Sequence, residues 1–120
     1  MARLAIKRIQ EPPSPDDGYR ILVDRLWPRG MSKEQAAVDE WAKDVAPSNK
    51  LRTWFGHRDD RFAEFADRYR AELQESPARK DLQATLRHHD KVTLLYSARN
   101  TEANQAVVLL DYLRRTRSGY

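Results

Sequence analysis

The chain has 120 residues, 22 basic and 18 acidic side chains, a formal net charge of +4 and no cysteine. This length is enough for one domain with a real core, and the lack of cysteine excludes disulfides, thiolate catalysis and cysteine-ligated metal. No apolar run could span a bilayer, and the first ten residues lack the apolar core of a signal peptide, so we expect a cytosolic protein with no membrane partner. Basic and acidic residues are interspersed, except in the basic run at 114–120.

The first third of the chain predicts two strands and a short helix. Residues 2–10 alternate charged and apolar side chains, as in a strand with one buried face. Residues 19–24 contain a continuous apolar run, which is typical of a strand covered on both faces. Ser32 with Gln35 three residues later predicts a capping box. Residues 38–41 fit either a short strand or an extended segment packed on the core.

Three helices are predicted next. Ser48 is a good N-cap for the first helix and Gly56 a good end. Asp59 or Asp60 is expected to cap the second. The third is expected to begin at Pro77, because proline is tolerated at the first helical position. The second helix has one apolar stripe, formed by Phe62, Phe65, Ala66, Tyr69 and Leu73.

Residues 91–97 are the clearest strand, since they are apolar and β-branched. A last helix follows, for which Asn100 and Thr101 are competing N-caps. We assign Trp41 and Trp54 to the core. The inward face of the last helix is predicted to contain Ala103, Ala106, Val107, Leu110 and Leu113.

Helices between apolar strands predict an α/β protein. We expect residues 1–120 to form a single three-layer α/β/α domain with a small, mostly parallel sheet. The runs 19–23 and 92–96 should be neighbouring, parallel, central strands, because both are apolar on both faces.

In open α/β sheets, ligands bind beyond the carboxyl ends of the strands. Two segments leave such ends here, "DRLWPRGMSK" after Val23 and "SARNTEAN" after Tyr96. The second runs into a predicted helix N-terminus, where free N–H groups and the helix dipole favour an anion. The two segments would form two walls of one anion site. The predicted ligand-binding residues are Asp24, Arg25, Arg29, Lys33, Ser97, Arg99, Asn100 and Asn104.

Several of these side chains have a structural alternative. Asp24 could orient an arginine, act as a base, or only form an ion pair with Arg25 or Arg99. Trp27 fits a packing anchor better than a stacking platform. Neither segment matches a P-loop, a dinucleotide fingerprint or a hydrolase elbow. His88 and His89 would point about 100° apart on a helix, and the chain has neither cysteine nor an HxxxH spacing, so we expect no metal site. We also expect no cofactor.

Several stretches together resemble the family called domain of unknown function 488, in its short YeaO-like branch. They are "VDRLWPRG", "WAKDVAPSNKLRTWFGH", "FADRYRAEL" and "VTLLYSARNTEANQAVVL", and the resemblance covers nearly the whole chain. It implies a single α/β domain of bacterial type and no particular activity. Longer relatives carry a cysteine-containing segment where this chain has "LLYSARNTEAN", so thiol chemistry does not carry over. The residues of the family's basic loop are present as Asp24, Arg25, Pro28 and Arg29.

Three functions remain open on the sequence. The favoured one is a pocket for a small anionic ligand that bears a phosphate or carboxylate, with or without catalysis. The first alternative is a nucleic-acid-binding or regulatory module that uses the basic loop and the tail. It is less favoured, because many phosphate contacts need a broad basic stripe and acidic residues interrupt this surface. The second alternative is a protein-interaction domain without a ligand. The sequence does not decide the oligomeric state.

Overall fold

The computed structural model describes residues 2–117, with only the backbone at residue 117. The basic tail at 114–120 therefore lies partly outside the described residues. The strands of this range are β1 (Arg3–Arg8), β2 (Tyr19–Leu22), β3 (Glu40–Trp41) and β4 (Lys91–Tyr96). The α-helices are α1 (Lys33–Ala36), α2 (Asn49–Phe55), α3 (Phe62–Gln74), α4 (Pro77–Leu86) and α5 (Gln105–Arg117). Within residues 2–117, no helix is both long and apolar enough to cross a membrane.

The strands form one parallel sheet in the order β1-β4-β2-β3. Strands β4 and β2 are central, with Tyr19 opposite Val92 and Leu22 opposite Leu95. The backbone N–H of Val23 continues the pairing by donating to the Leu95 carbonyl at 3.0 Å. The predicted neighbouring, parallel, central strands are therefore confirmed. Parallel strands end at the same edge of the sheet, so the segments that follow β2 and β4 emerge side by side.

Each face of the sheet has its own core, because successive strand residues point to opposite faces. Ile21 and Leu94 belong to the larger core, which also contains the buried side chains of α2, α3, α4 and α5. Leu22 and Leu95 belong to a smaller core with Ala36 of α1. The α/β prediction is confirmed, with unequal layers: four helices cover one face, and one short helix with its flanking loop covers the other.

Helix starts follow the predicted capping residues in most places. The Ser48 hydroxyl accepts from the Leu51 N–H at 3.1 Å, and Gly56 ends α2 in the left-handed conformation. The Ser32 capping box and the α4 start at Pro77 are also present. These signals were predictable because capping involves residues only three positions apart in the chain.

The predicted cap of α3, the second of the three predicted helices, is wrong. Asp59 and Asp60 lie in a 3-10 turn, and α3 begins at Phe62 without a side-chain cap. The core assignment of Trp41 is also wrong: its relative exposure is 39%, because the two-residue β3 is an edge strand. Trp54 is partly buried against the larger core, with the Arg68 guanidinium over its ring.

The start of α5 also differs from the prediction. Neither Asn100 nor Thr101 caps it; the Asn104 side-chain oxygen accepts from the Val107 N–H at 3.1 Å, and the helix starts at Gln105. This later start rotates the buried face. Ala106 and Leu113 are buried as predicted, whereas Val107 and Leu110 are only partly buried, and the partly buried Ala103 precedes the helix. The other buried side chains of this face in the described residues are Val108, Leu109 and Tyr112.

Candidate functional site

A cavity of about 310 Å³ opens where the chain leaves β2 and β4. The loop after β2 supplies one side, the residues after β4 supply another, and α2 with its following turn closes a third. Its polar lining consists of Asp24, Arg25, Arg29, Arg52, His57, Ser97 and Gln105. Its apolar lining includes Leu26, Trp27, Phe55 and Phe65.

Asp24 is the carboxylate of the cavity lining. One of its oxygens accepts the Ser97 backbone N–H at 2.9 Å, and the other accepts the Gln105 side-chain amide. Burial raises the pKa of Asp24 to about 6, while these two hydrogen bonds act in the opposite direction. No ion pair joins Asp24 to Arg25, Arg99 or any other side chain that the structure describes. Asp24 therefore fastens β2 to the start of α5 through neutral donors.

The two arginines of the loop after β2 differ in availability. Arg25 is half-buried, and its guanidinium donates to the Pro47 carbonyl at 3.1 Å and the Ala46 carbonyl at 3.2 Å. Its contact with the exposed Asp44 is long, at 3.9 Å. Arg29 is exposed, and its side chain makes no hydrogen bond or ion pair within the described part of the chain. Arg25 thus fixes the loop, whereas the Arg29 guanidinium is not held by any other described side chain or carbonyl.

Trp27 holds the shape of this loop. Its indole N–H donates to the Met31 carbonyl at 2.8 Å, and its ring packs against the smaller core. It meets Trp41 edge-on, with ring centroids 5.5 Å apart. The Trp41 indole N–H in turn donates to the Asp24 backbone carbonyl at 2.8 Å. Trp27 is therefore a packing anchor, which is the interpretation that the sequence favoured over a stacking platform.

Arg52 and His57 line the cavity and were missed in the sequence. Arg52 is exposed on α2, and its side-chain contact is a 3.3 Å hydrogen bond to Asn49 of the same helix. His57 follows Gly56, and both residues have positive φ, so the chain turns sharply there. Both lie inside the stretch "NKLRTWFGH", but no local signal shows that α2 packs beside the strand ends.

Half of the predicted ligand-binding set lines the cavity and half does not. Asp24, Arg25, Arg29 and Ser97 are in the lining. The residues outside it are Lys33, Arg99, Asn100 and Asn104. Lys33 is exposed in the first turn of α1, and Arg99 is exposed in the irregular segment before α5.

The two asparagines of that segment have structural partners. The Asn100 side-chain oxygen accepts the N–H groups of Glu102 and Ala103, each at 2.9 Å, and its amide donates to Asp59 at 3.0 Å. The buried Asn104 caps α5 and donates to the Asn100 carbonyl at 2.8 Å. Arg99 therefore does not sit at a helix N-terminus, as the sequence had suggested, because five residues separate it from the start of α5.

Among residues 2–117, no three histidine, aspartate or glutamate side chains lie close enough together to hold a metal ion. The fold and the site define the class: an α/β protein with an arginine-rich cavity at the carboxyl ends of its central parallel strands. The chain belongs to the DUF488 family, since the family model described as "Inactive DUF488-N3 subclade" matches residues 3–118.

Relatives of known sequence agree with this assignment. The chain is 46% identical to "Uncharacterized protein YeaO" of Escherichia coli over 90% of this chain and 94% of that protein. It is 43% identical to uncharacterized proteins of Mycobacterium bovis and Mycobacterium tuberculosis over 92% of this chain and 93% of theirs. No solved structure matches significantly.

Proposed function

We propose that this protein binds a small anionic ligand, bearing a phosphate or carboxylate, in the cavity at the strand ends. One observation carries the proposal: three arginines and a histidine share a concave space of about 310 Å³ with a single carboxylate. A cavity of this size accommodates a small metabolite rather than a macromolecular surface. The guanidinium fork suits the oxygens of phosphate and carboxylate groups.

Binding without a reaction is the role we favour. The family model that matches the chain is described as inactive. The segment after β4 contains Ser97, and its side chain accepts a hydrogen bond from Gln10 at 2.8 Å. The Asp24 carboxylate accepts the Ser97 backbone N–H, and no carboxylate or imidazole accepts from the Ser97 hydroxyl among the described hydrogen bonds. The arrangement therefore supports recognition better than nucleophilic catalysis.

The three arginines of the cavity have different expected roles, because their side chains differ in exposure and in hydrogen bonding. Arg29 and Arg52 are exposed and weakly engaged, so they are the expected contacts to the ligand anion. Arg25 is held by the Ala46 and Pro47 carbonyls and keeps the loop in place. A substitution of Arg25 should therefore reduce stability as well as binding.

Isothermal titration calorimetry with inorganic phosphate and ethyl phosphate tests the proposal. We expect Arg52→Gln and Arg29→Gln each to weaken binding about tenfold, the loss of one charge-assisted contact. Arg99→Gln is the matched control, because Arg99 is exposed and lies outside the cavity lining; it should leave binding unchanged. Absence of millimolar or tighter binding, or an equal effect of all three substitutions, would overturn the proposal.

A further inference from the structure

The Asp24 carboxylate lies in a cavity whose other charged side chains are cationic, yet it has no cationic partner. Arg25, Arg29 and Arg52 all line the same space, and none of them forms an ion pair with Asp24. Its contacts are neutral: the Ser97 backbone N–H and the Gln105 amide. An anion-binding cavity would ordinarily avoid a carboxylate, because it repels the ligand.

The carboxylate retains capacity for a further partner. Two carboxylate oxygens accept about four hydrogen bonds, and Asp24 receives one at each oxygen. Burial disfavours its charged form, as the raised pKa of about 6 reflects. A cation delivered by the ligand would offset this cost in the partly desolvated cavity, where an ion pair is stronger than in water.

The rest of the lining suits a short carbon skeleton. Phe55 and Phe65 present apolar surface to the same cavity that Asp24 and Arg52 line. Both side chains are largely buried, with relative exposures of 5% and 2%, and their rings stack with centroids 4.3 Å apart, so they form a packed apolar wall of the cavity. A ligand with opposite charges at its two ends could lay its methylene groups on this wall.

We propose that the cavity selects a small zwitterion, in which arginine binds the anionic group and the Asp24 carboxylate binds a primary ammonium group. This inference rests on the proposed function, which requires only the anionic group. The expected ligand is an aminoalkyl phosphate or an amino acid. Both kinds of compound carry an ammonium group and an anionic group on a short carbon chain.

Matched pairs of probes separate the two proposals. Phosphoethanolamine and ethyl phosphate share the phosphate and the two-carbon chain and differ by the ammonium; β-alanine and propionate are the corresponding carboxylates. At about pH 8, where Asp24 is ionised and the amine is protonated, we expect the amino-bearing member of at least one pair to bind about tenfold tighter. Calorimetry on the unmodified protein makes this comparison without any substitution.

Asp24→Asn then locates the selectivity. The asparagine keeps the size of the side chain and an acceptor for the Ser97 N–H, and it removes the charge. Its NH2 group replaces the oxygen that accepts from Gln105, whose amide can turn to present its own oxygen. We expect it to abolish the preference within the pair by weakening the amino-bearing probe about tenfold, with the plain anion unchanged or tighter. Circular dichroism and a thermal melt check that the variant is folded.

Equal affinity of both members of each pair for the unmodified protein would overturn the inference and leave the anion site standing. A preference that persists in folded Asp24→Asn would also overturn it, since the ammonium would then be bound elsewhere. If neither member of either pair binds, the proposed function fails together with the inference.

Discussion

Two aspartates at opposite ends of β2 show how neighbouring charges determine the state of a buried carboxyl. Asp17 precedes the strand, and burial alone would raise its pKa. Hydrogen bonds from the Ser14 backbone, Lys7 and Arg20 outweigh burial and hold that pKa below its ordinary value. Asp24 follows the strand and has only neutral donors, so burial dominates and its pKa rises to about 6.

The raised pKa of Asp24 predicts a pH-dependent stability. Because the pKa is about 6 in the folded protein and 3.8 ordinarily, the folded state binds the proton more tightly. This contribution to the free energy of unfolding is fully present below about pH 4 and is lost as the pH rises through 6. The free energy of unfolding of Asp24→Asn, relative to that of the unmodified protein, should therefore rise by about 2 kcal/mol as the pH increases from 4 to 7. Urea denaturation at several pH values measures this difference.

Asp17→Asn provides a comparison of opposite sign. The lowered pKa of Asp17 means that its contribution is present above the ordinary pKa and is lost as the pH falls. Its removal should therefore be most harmful at neutral pH, where it also leaves the buried Arg20 without its carboxylate. A difference between Asp24→Asn and the unmodified protein that does not change with pH would contradict the assignment.

At the scale of elements, the site depends on a close backbone contact between the start of β2 and the start of β4. Gly18, just before β2, has φ of 65°, and a Cβ built there would lie 2.4 Å from the Lys91 carbonyl oxygen. That distance is far below van der Waals contact, so only glycine allows the two backbones to approach this closely. In the same register, Tyr19 lies opposite Val92. This register also brings the ends of β2 and β4, which lead to Asp24 and Ser97, side by side.

Gly18→Ala and Gly30→Ala form a matched pair, since both positions have positive φ. A Cβ at Gly30 would meet nothing within 4 Å, so its cost is the conformational one, about 1 kcal/mol. We expect Gly18→Ala to cost about 3 kcal/mol or more, because the clash with the Lys91 carbonyl oxygen adds to the cost of a backbone conformation, φ 65° and ψ −136°, that lies outside the left-handed helical region. Chemical denaturation measures both; equal losses would show that the contact with β4 does not constrain the fold.

At the scale of the whole molecule, the charge is mild and its distribution is mixed. The net charge is +4, and exposed arginines often sit beside acids, as Arg58 does with Asp60 and Arg115 with Asp111. Such pairs reduce the continuous positive potential that nucleic-acid backbones require. The cavity at the strand ends instead concentrates its arginines within a small volume.

We therefore expect nucleic-acid binding by this protein to be weak and without sequence preference. In electrophoretic mobility-shift assays, any complex formed at low salt should disappear by about 150 mM salt, because phosphate contacts are lost as counterions compete. Arg29→Gln should behave in this assay like Arg99→Gln, which changes an exposed arginine outside the cavity lining. Sequence-selective binding that persists at physiological salt would contradict this expectation and favour a nucleic-acid-binding module.

The sequence by itself determined the central sheet and most helix starts. Both strands carry apolar side chains on each face of the sheet, Ile21 and Leu22 in β2 and Leu94 and Leu95 in β4. Such a pattern requires burial on both sides and therefore a central position. Ser48 marks a helix start because a cap bonds to an N–H only a few residues away, and Pro77 marks another because proline suits the first helical position. Such signals are local, because each depends only on residues within a short stretch of the chain.

Only the tertiary structure decided which side chains share the cavity. Arg52 and His57 enter it because α2 packs beside the strand ends, whereas Arg99 lies outside the lining although its neighbour Ala98 is part of it. Asp24 meets a partner 81 positions away in the chain. Contacts at such separations depend on how whole elements pack against one another, and no periodicity or capping signal within a single element encodes that packing.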